Sequence, residues 1–172
     1  MNVYEEEKYF THFLERVNWQ RDLHFYTKTT IDTLDYSGDD INEGSKLVVA
    51  AAGTVKRNLI NELRDLTLPD GFANIEFVSR GNLVIEGKGK IEKIISFLES
   101  QDLEGVGLIT IVDDTSFVCD DFSNWLWVTF TRSNPANDIY GLHSKNINKH
   151  FSCSLPIIDA RIKEHHAPIL IR

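Results

Sequence analysis

The chain has little positive charge. Its 172 residues contain 18 lysines and arginines against 26 aspartates and glutamates, which gives a formal net charge of −8. Sequence-independent binding to nucleic acid or to an anionic membrane requires a basic surface that displaces counterions from phosphates. The overall charge therefore argues against both kinds of partner, although it is compatible with a local basic patch.

Cysteines and long apolar runs are also scarce. Only Cys119 and Cys153 occur, and there is no CxxC pair, internal repeat or low-complexity segment. The N-terminus MNVYEEEKYF is acidic where a secretory signal would be basic and then apolar. No apolar run approaches the roughly 20 residues needed to cross a bilayer. These absences predict a cytoplasmic protein with reduced thiols and no stable membrane insertion, although the two cysteines would pair if the fold brought them together.

What is present suits one globular domain. With 172 residues and 42% hydrophobic composition, the chain is long enough for one sizeable core and too short for two full domains. We therefore expect a single domain over residues 1–172, with an N-terminal helix and arm over 1–44 and an α/β core over 45–172.

Helical spacing of apolar residues occurs in four segments, at residues 5–18, 54–66, 89–100 and 121–132. The last is ambiguous, because Leu126, Val128 and Phe130 also alternate as they would in a strand. Asp120 or Asp121 before it suits a helix N-cap, and the SNP after it suits a helix end. We therefore interpret residues 121–132 as a helix.

Short apolar segments predict the strands. The runs at 47–52 and 108–112 are continuous and apolar, so we expect both to be inner strands of a single sheet with helices on each face. IEFVSRGNLVIEG predicts two strands, and DIYGL and LPIIDARI predict one each. DLHFYTKTTIDTLDYSGDD predicts an extended arm or a short hairpin, and HSKNINKHFSCS a polar connection. The alternation of elements predicts an α/β fold, a three-layer α/β/α domain with a mostly parallel or mixed sheet.

The histidines near the end of SLPIIDARIKEHHAPILIR are the first candidates for a metal site. Zinc bound by His165, His166 and Asp159 would need further converging ligands, and adjacent histidines in an extended chain point to opposite faces. We expect no metal-binding residue here.

Three other sets of residues could each have a chemical function, and each also has a plainer structural interpretation. Cys153 and His150 could form a nucleophile pair, but no oxyanion turn accompanies them, and an idle or buried cysteine is the plainer interpretation. The turn at Gly53, in AAAGTVKRN, could meet a phosphate, but it has one glycine where a dinucleotide fingerprint has three. Asp113 and Asp114 could bind Mg²⁺ or cap the next element.

From residue 108 onward the order of segments resembles the C-terminal domain of the UbiD family of carboxy-lyases. IVDDTSF is similar to that family's strand with terminal aspartates, and NWLWVTFTRSNPANDIYG to its helix with Trp, Thr-Arg, a nearby Pro and an Asp. IIDARIK is similar to its Asp-Ala segment, which implies a structural role for Asp159 and Arg161. HFYTKTTIDTLDYSGDDINEGSKLVVAAAG resembles the corresponding region of a longer-chain subgroup, so the resemblance covers most of the chain.

The resemblance implies decarboxylation of an aromatic or α,β-unsaturated acid with prenylated flavin mononucleotide, in a context such as quinone biosynthesis. In the family, the flavin, its divalent metal and the catalytic residues belong to preceding domains, so we expect no catalytic, flavin-binding or metal-binding residue on this chain and no activity of the chain alone. Its expected partners are those N-terminal flavin-binding domains, the small acid substrate and further copies in a homo-oligomer. The alternative is a free-standing ligand-binding or interaction module without catalysis.

The chain departs from the family where many relatives have Ser-Lys-Met-Gly, because CSLP stands there and a pocket lysine is not carried over. We expect Lys149 to take its place and to bind substrate together with His150 and Phe151. These three offer a cation, a titratable ring and an aromatic face to a carboxylated aromatic acid. A solvated connection is the plainer interpretation. In relatives, a helix at the C-terminus binds a second copy of the enzyme. We expect this chain, which ends at Arg172, to lack that helix.

Overall fold

Helices and strands alternate along the chain, as the sequence predicts. The computed structural model describes residues 4–33, 35, 37–38, 40, 42–63 and 66–166, and within them it contains five helices and nine strands. In order they are α1 (Glu6–Arg16), β1 (Leu23–Thr30), β2 (Glu43–Val49), β3 (Phe72–Ser79), β4 (Asn82–Gly87), α2 (Ile91–Leu98), β5 (Leu108–Val112), α3 (Thr115–Asp120), α4 (Phe122–Thr131), α5 (Pro135–Asp138), β6 (Ile139–Leu142), β7 (Lys145–Ile147), β8 (His150–Ser152) and β9 (Leu155–Asp159).

A five-stranded mixed sheet with the order β3-β4-β5-β9-β6 forms the centre of the molecule. Strands β4, β5 and β9 are parallel, whereas β3 and β6 pair antiparallel with their neighbours at the two edges. The carboxyl ends of the three parallel strands therefore meet at one edge of the sheet. Two smaller antiparallel hairpins, β1-β2 and β7-β8, lie outside this sheet.

Alternate residues of the central strands face two different buried clusters. Ile109 and Ile111 of β5 pack in the cluster that contains α2. Leu108 and Val112 face the opposite side and pack in the cluster that contains α1 and Trp125 of α4. Because apolar residues cover both faces of the sheet, the predicted three-layer α/β fold with a mixed sheet is confirmed.

Three of the four predicted helices are confirmed as α1, α2 and α4. In α2 the buried positions are Ile91, Ile94 and Leu98, which is the spacing of one helical face. The ambiguous segment at 121–132 is the helix α4, and the Asp121 side chain caps it by accepting a hydrogen bond from the Ser123 main-chain N–H at 2.7 Å.

The prediction that residues 47–52 form an inner strand of the central sheet is wrong. They contribute only the end of β2, which pairs with β1 in a separate two-stranded hairpin. Leu47 and Val49 pack against the core, whereas Val48 between them is 50% exposed. The strand therefore has one buried face, and the sequence conceals this because its outward residue is also apolar.

The predicted helix over 54–66 is also wrong, because the residues described there, 54–63 and 66, form no helix. Backbone groups of this segment form hydrogen bonds with residues that are distant in the sequence. The Lys56 N–H donates to the Glu15 carbonyl oxygen at 2.8 Å, and the Ile60 carbonyl oxygen accepts from the Gly81 N–H at 2.7 Å. Leu59 is buried against Gly81, whose positive φ of 75° and lack of a side chain allow this close approach.

Candidate functional site

The predicted substrate-binding residues lie in a groove between β1 and the β7-β8 hairpin, which we call the β1–β8 groove. Its cavity volume is about 580 Å³, a size suited to a small molecule. The described residues that line it are Leu23, His24, Phe25, Tyr26, Thr27, Ala136, Ile139, Asn146, Asn148, Lys149, His150 and Phe151. The chain segment predicted as a polar connection is therefore a hairpin that forms one wall.

A tight turn places Lys149 at the tip of this hairpin. Asn148 and Lys149 connect β7 to β8, and both have positive φ, 52° and 66°. Two successive positive φ values are typical of the two-residue hairpin turn whose twist matches that of the strands. The Lys149 side chain is exposed, so its ammonium group is available to a ligand at the mouth of the groove.

Phe151 is less exposed than a loop position would be. It is half-buried in β8, its ring lies edge-on to Phe25 of β1 with centroids 5.4 Å apart, and it packs against the core. The plainer interpretation of this segment, a solvated connection, therefore does not hold for Phe151, because its ring packs against Phe25 and the core. The two rings give the groove an aromatic wall.

The His150 side chain connects the hairpin to the start of β1. Its Nε2 lies 3.2 Å from the Gln20 main-chain oxygen, and its ring is 5.9 Å from the ring of His24. Cys153, by contrast, is buried and belongs to the core cluster. The structure gives no nucleophile pair, since burial raises the pKa of the Cys153 thiol to about 12 and keeps it protonated.

Both cysteines are expected to resist thiol reagents in the native protein. Cys119 and Cys153 are free, and burial raises the pKa of each to about 12, with Glu76 adding to the shift at Cys119. At pH 8 only about one thiol in ten thousand would then be ionised. Labelling with a disulfide reagent should be slow in buffer and rapid for both cysteines in urea. Fast native labelling that persists in Cys119→Ser would show that Cys153 is accessible.

Asp159 and Arg161 form a structural clamp at the carboxyl edge of the sheet. The Arg161 guanidinium donates to both carboxylate oxygens of Asp159, at 2.8 and 2.6 Å, and to the Gly89 carbonyl oxygen at 2.6 Å. Burial by itself raises the pKa of Asp159, but the hydrogen bonds and charge of Arg161, together with the charge of Lys163, outweigh burial and hold that pKa below its ordinary value. The clamp joins the end of β9 to the segment between β4 and α2.

Lys163 extends this clamp toward α4 and α5. Its ammonium group donates to the Arg132 and Asp159 carbonyl oxygens, both at 2.8 Å, and lies 3.3 Å from the Asp138 carboxylate. Burial raises the pKa of Asp138, although a backbone N–H of Asn134 and the Lys163 charge act in the opposite direction. These contacts give Lys163 a structural role.

Asp113 and Asp114 act as caps and anchors. The Asp114 carboxylate caps α3 by accepting from the Phe117 N–H at 3.2 Å, and the Asp113 carboxylate accepts from the Ile162 N–H at 2.7 Å. Capping is one of the two interpretations that the sequence leaves open, and it is confirmed for Asp114. No helix follows Gly53 directly, so the turn there provides no helix N-terminus for a phosphate.

The histidines after the clamp are held by local contacts. His166 accepts a hydrogen bond from the Lys163 N–H through Nδ1 at 3.1 Å, and burial together with nearby cations lowers its pKa to about 4. Among the residues that the structure describes, no group of three or more His, Cys, Asp or Glu side chains is placed to hold a metal ion. Residues 167–172, the end of SLPIIDARIKEHHAPILIR, lie outside the described residues.

Comparisons with known proteins show which family the chain resembles. Residues 1–51 match the family model described as the 3-octaprenyl-4-hydroxybenzoate carboxy-lyase C-terminal domain. A Chlamydia pneumoniae protein, named as a subunit of 4-hydroxybenzoate decarboxylase, is 35% identical over 151 residues, or 87% of this chain and 26% of that protein. The resemblance to the UbiD C-terminal domain is confirmed. The residues matched by this domain contain α1, β1 and β2, and hence one wall of the β1–β8 groove.

A second relative matches a similar share of the chain. An uncharacterized protein of Chlamydia trachomatis is 36% identical over 145 residues, or 84% of this chain and 25% of that protein. The chain thus spans about a quarter of the length of these curated relatives. No solved structure matches the chain. Within the part of the chain that the structure describes, no helix is both long enough and apolar enough to span a bilayer.

The sequence predicts one wall of the groove and misses the other. His24, Phe25 and Tyr26 lie on β1 and line the groove, but their sequence pattern predicts only an arm or hairpin without a ligand. A signal is present, because DLHFYT alternates between inward Leu23 and Phe25 and exposed His24 and Tyr26. What the sequence does not show is that this strand faces a hairpin more than a hundred residues away, and contacts of that range depend on the tertiary fold.

Proposed function

We propose that this chain acts as the C-terminal domain of a decarboxylase whose substrate is a small aromatic or α,β-unsaturated carboxylic acid. The observation that carries the proposal is the 35% identity, over 87% of this chain, to a protein named as a subunit of 4-hydroxybenzoate decarboxylase. The two function classes considered for the sequence, an enzyme domain and a free-standing binding module, differ in whether the chain assembles with catalytic domains. The relative's name favours the enzyme domain.

The β1–β8 groove is the proposed point of contact with the acid. Phe25 and Phe151 offer ring faces and edges to an aromatic or unsaturated group, and they exclude water from it. Lys149 at the mouth offers a positive charge to the carboxylate. In this proposal the domain binds and orients the acid and closes over it, and the remainder of the enzyme performs the bond cleavage.

Prenylated flavin mononucleotide and its divalent metal are proposed to belong to the other domains of the enzyme, together with a place in quinone biosynthesis. Two observations support this: among the residues that the structure describes, no group of three or more His, Cys, Asp or Glu side chains is placed to hold a metal ion, and the turn at Gly53 leads directly into no helix. The partners proposed for the chain are the flavin-binding domains and further copies of the enzyme.

Lys149→Ala is expected to raise the KM of the assembled enzyme for its acid about tenfold while changing kcat little. The reason is that an exposed ammonium at the groove mouth contributes binding in the ground state and in the transition state alike. Steady-state kinetics with the flavin-binding domains and cofactor present would measure this. Lys145→Ala is the matched control, because Lys145 is exposed on the same hairpin but does not line the groove.

Unchanged KM in Lys149→Ala would remove the β1–β8 groove from the active site. A parallel urea titration is needed for variants of Phe151, because truncation of this half-buried ring is expected to lower stability as well as binding. If the chain does not associate with flavin-binding domains at all, the free-standing binding module replaces the enzyme domain as the proposed function.

A further inference from the structure

Helix α4 carries large aromatic side chains on its outer side as well as on its inner side. The inner positions Trp125, Val128 and Thr129 are buried, yet Trp127 is 68% exposed and Phe130 is 57% exposed. Trp127 and Phe130 are three positions apart and therefore lie on the same side of the helix. A helix at the surface of an isolated domain has polar residues on its outer side, whereas apolar residues all round are typical of a helix buried within a larger protein.

The charge distribution of α4 is also unusual for a surface helix. No residue within Phe122–Thr131 is charged, although 26% of the residues of the chain are. Charged residues occur at its two ends, where Asp121 precedes the helix and Arg132 follows it. The core of a protein–protein interface is depleted of charged residues and enriched in aromatic ones, and its rim is polar. The composition of α4 therefore matches an interface core better than a solvated surface.

Contacts with α3 and with the core hold these aromatic residues in place. The Asn124 side chain of α4 donates to the Phe117 main-chain oxygen of α3 at 2.9 Å, and Phe117 is 50% exposed. The Phe130 ring lies edge-on to the buried Trp125 ring, with centroids 5.8 Å apart. We call Phe117, Trp127 and Phe130 the α4 face. Because the face is built on packed helices, a partner that covers it orders little additional structure.

The α4 face and the β1–β8 groove belong to the same side of the central sheet. Phe25 and Phe151 of the groove pack against the buried cluster that contains Trp125 of α4. Helix α5, which directly follows α4 in the chain, contributes Ala136 to the lining of the groove. A partner that docks on the α4 face therefore lies on the side of the sheet from which it can reach the groove.

The lengths of the relatives indicate what covers this face. The chain spans 26% of the Chlamydia pneumoniae relative and 25% of the Chlamydia trachomatis relative, so about three quarters of each relative is additional chain. Neighbouring domains of one protein bury surface against each other. A domain with this much additional chain beside it needs a contact surface, and an uncharged face with an exposed tryptophan is suited to that role.

We propose that the α4 face is the surface on which the flavin-binding domains of the enzyme dock, with Trp127 contributing most to the affinity. The inference rests on the proposed function and goes beyond it, because the proposed function names these domains as partners without assigning them a surface. Docking removes the rings of Trp127 and Phe130 from water. It also brings the flavin-binding domains to the side of the sheet on which the acid is proposed to bind.

Calorimetric titration of the 172-residue chain with the separately produced flavin-binding domains of the same enzyme tests this inference. Trp127→Ala is expected to weaken binding by about thirtyfold or more, as truncation of a tryptophan at the centre of an interface does. Val55→Ala is the control, because Val55 is an apolar residue that is 49% exposed outside the α4 face, and its removal should change the affinity less than about twofold. An unchanged urea midpoint of Trp127→Ala would show that the variant is folded.

A spectroscopic readout uses the unsubstituted sequence. The chain contains three tryptophans, of which Trp19 and Trp125 are buried and Trp127 is exposed. Fluorine NMR of the chain labelled with fluorotryptophan reports on these positions alone when the flavin-binding domains are unlabelled. The Trp127 resonance, assigned with Trp127→Phe, is expected to shift on binding, and the Trp19 resonance is expected to stay unchanged.

The possible outcomes separate this inference from the proposed function. If the flavin-binding domains bind but Trp127→Ala keeps full affinity, or the Trp127 resonance does not shift, the docking surface is wrong and the proposed function stands. If they do not bind at all, both are wrong. Sedimentation of the chain alone covers the remaining occupant, because a dimer that Trp127→Ala dissociates would assign the α4 face to a second copy and overturn the inference.

Discussion

Replacement of Trp125 by alanine is expected to lower the free energy of unfolding by about 3–5 kcal/mol. Trp125 is fully buried in α4, its ring lies 4.8 Å from that of Phe10 and 5.2 Å from that of Phe122, and its indole N–H donates to the Thr110 hydroxyl at 3.0 Å. The substitution would remove the largest side chain between the helices and β5 and leave a cavity. Urea denaturation followed by circular dichroism would measure the loss.

Two further variants show which part of the Trp125 contribution comes from packing. Trp125→Phe keeps most of the ring and removes the donor to Thr110, and it is expected to cost about 1–2 kcal/mol. Trp127→Ala on the same helix is the matched control, because Trp127 is 68% exposed and its removal should change stability by no more than about 0.5 kcal/mol. A loss below about 1 kcal/mol in Trp125→Ala would contradict the described packing of α4 on the sheet.

Arg161→Ala is expected to destabilise the protein by about 2–4 kcal/mol at neutral pH, because it leaves the buried Asp159 carboxylate without its cation and the Gly89 carbonyl oxygen without its donor. The difference from the unmodified protein should depend on pH. The pKa of Asp159 is lowered in the native state, so the stability this carboxylate contributes is present above its unfolded pKa of about 4 and is lost as the pH falls through the lower native pKa. Denaturation midpoints at about pH 3 and about pH 7 would measure both effects.

Asp138 provides a matched comparison for Asp159 within the same cluster. Burial raises the pKa of Asp138 where the clamp lowers that of Asp159, so ionisation of Asp138 opposes folding. Asp138→Asn keeps an acceptor for the Asn134 N–H and should have a small effect at neutral pH, whereas Asp159→Asn should lose most of what Arg161→Ala loses. If the two asparagine variants lose equal amounts of unfolding free energy, the clamp does not depend on the charge of Asp159.

Sequence patterns predict a helix or strand well when neighbouring residues alone carry the pattern and when each face of the element is either fully buried or fully exposed. Helix α2 and strand β5 have unambiguous apolar patterns, and both predictions are confirmed because α2 covers one face of the sheet and β5 is buried on both faces. The prediction of helix α4 is confirmed although its period is ambiguous, because the Asp121 cap is an independent local signal. The structural role expected for Asp159 and Arg161 likewise agrees with their mutual hydrogen bonds.

The wrong predictions have a common physical origin in contacts between distant residues. Residues 54–63 have the apolar spacing of a helix. However, the Arg57 guanidinium donates hydrogen bonds to the carbonyl oxygens of Leu14 and Val17 at the end of α1, and these bonds hold the segment beside α1. Residues 47–49 have the pattern of a fully buried strand, but hairpin pairing with β1 leaves Val48 in solvent. A local window contains none of these partners.

The sequence by itself determined the central buried strand and the helices with clear amphipathic faces, because each depends on residues close together in the chain. The order of its segments determined the α/β class and the family resemblance. Only the tertiary structure decided that β1 and the β7-β8 hairpin enclose a groove, and that His24 meets His150 there. Such contacts depend on how hairpins outside the main sheet pack against its core. That packing is set by the burial of side chains such as Phe25 and Phe151, whose pairing no sequence periodicity encodes.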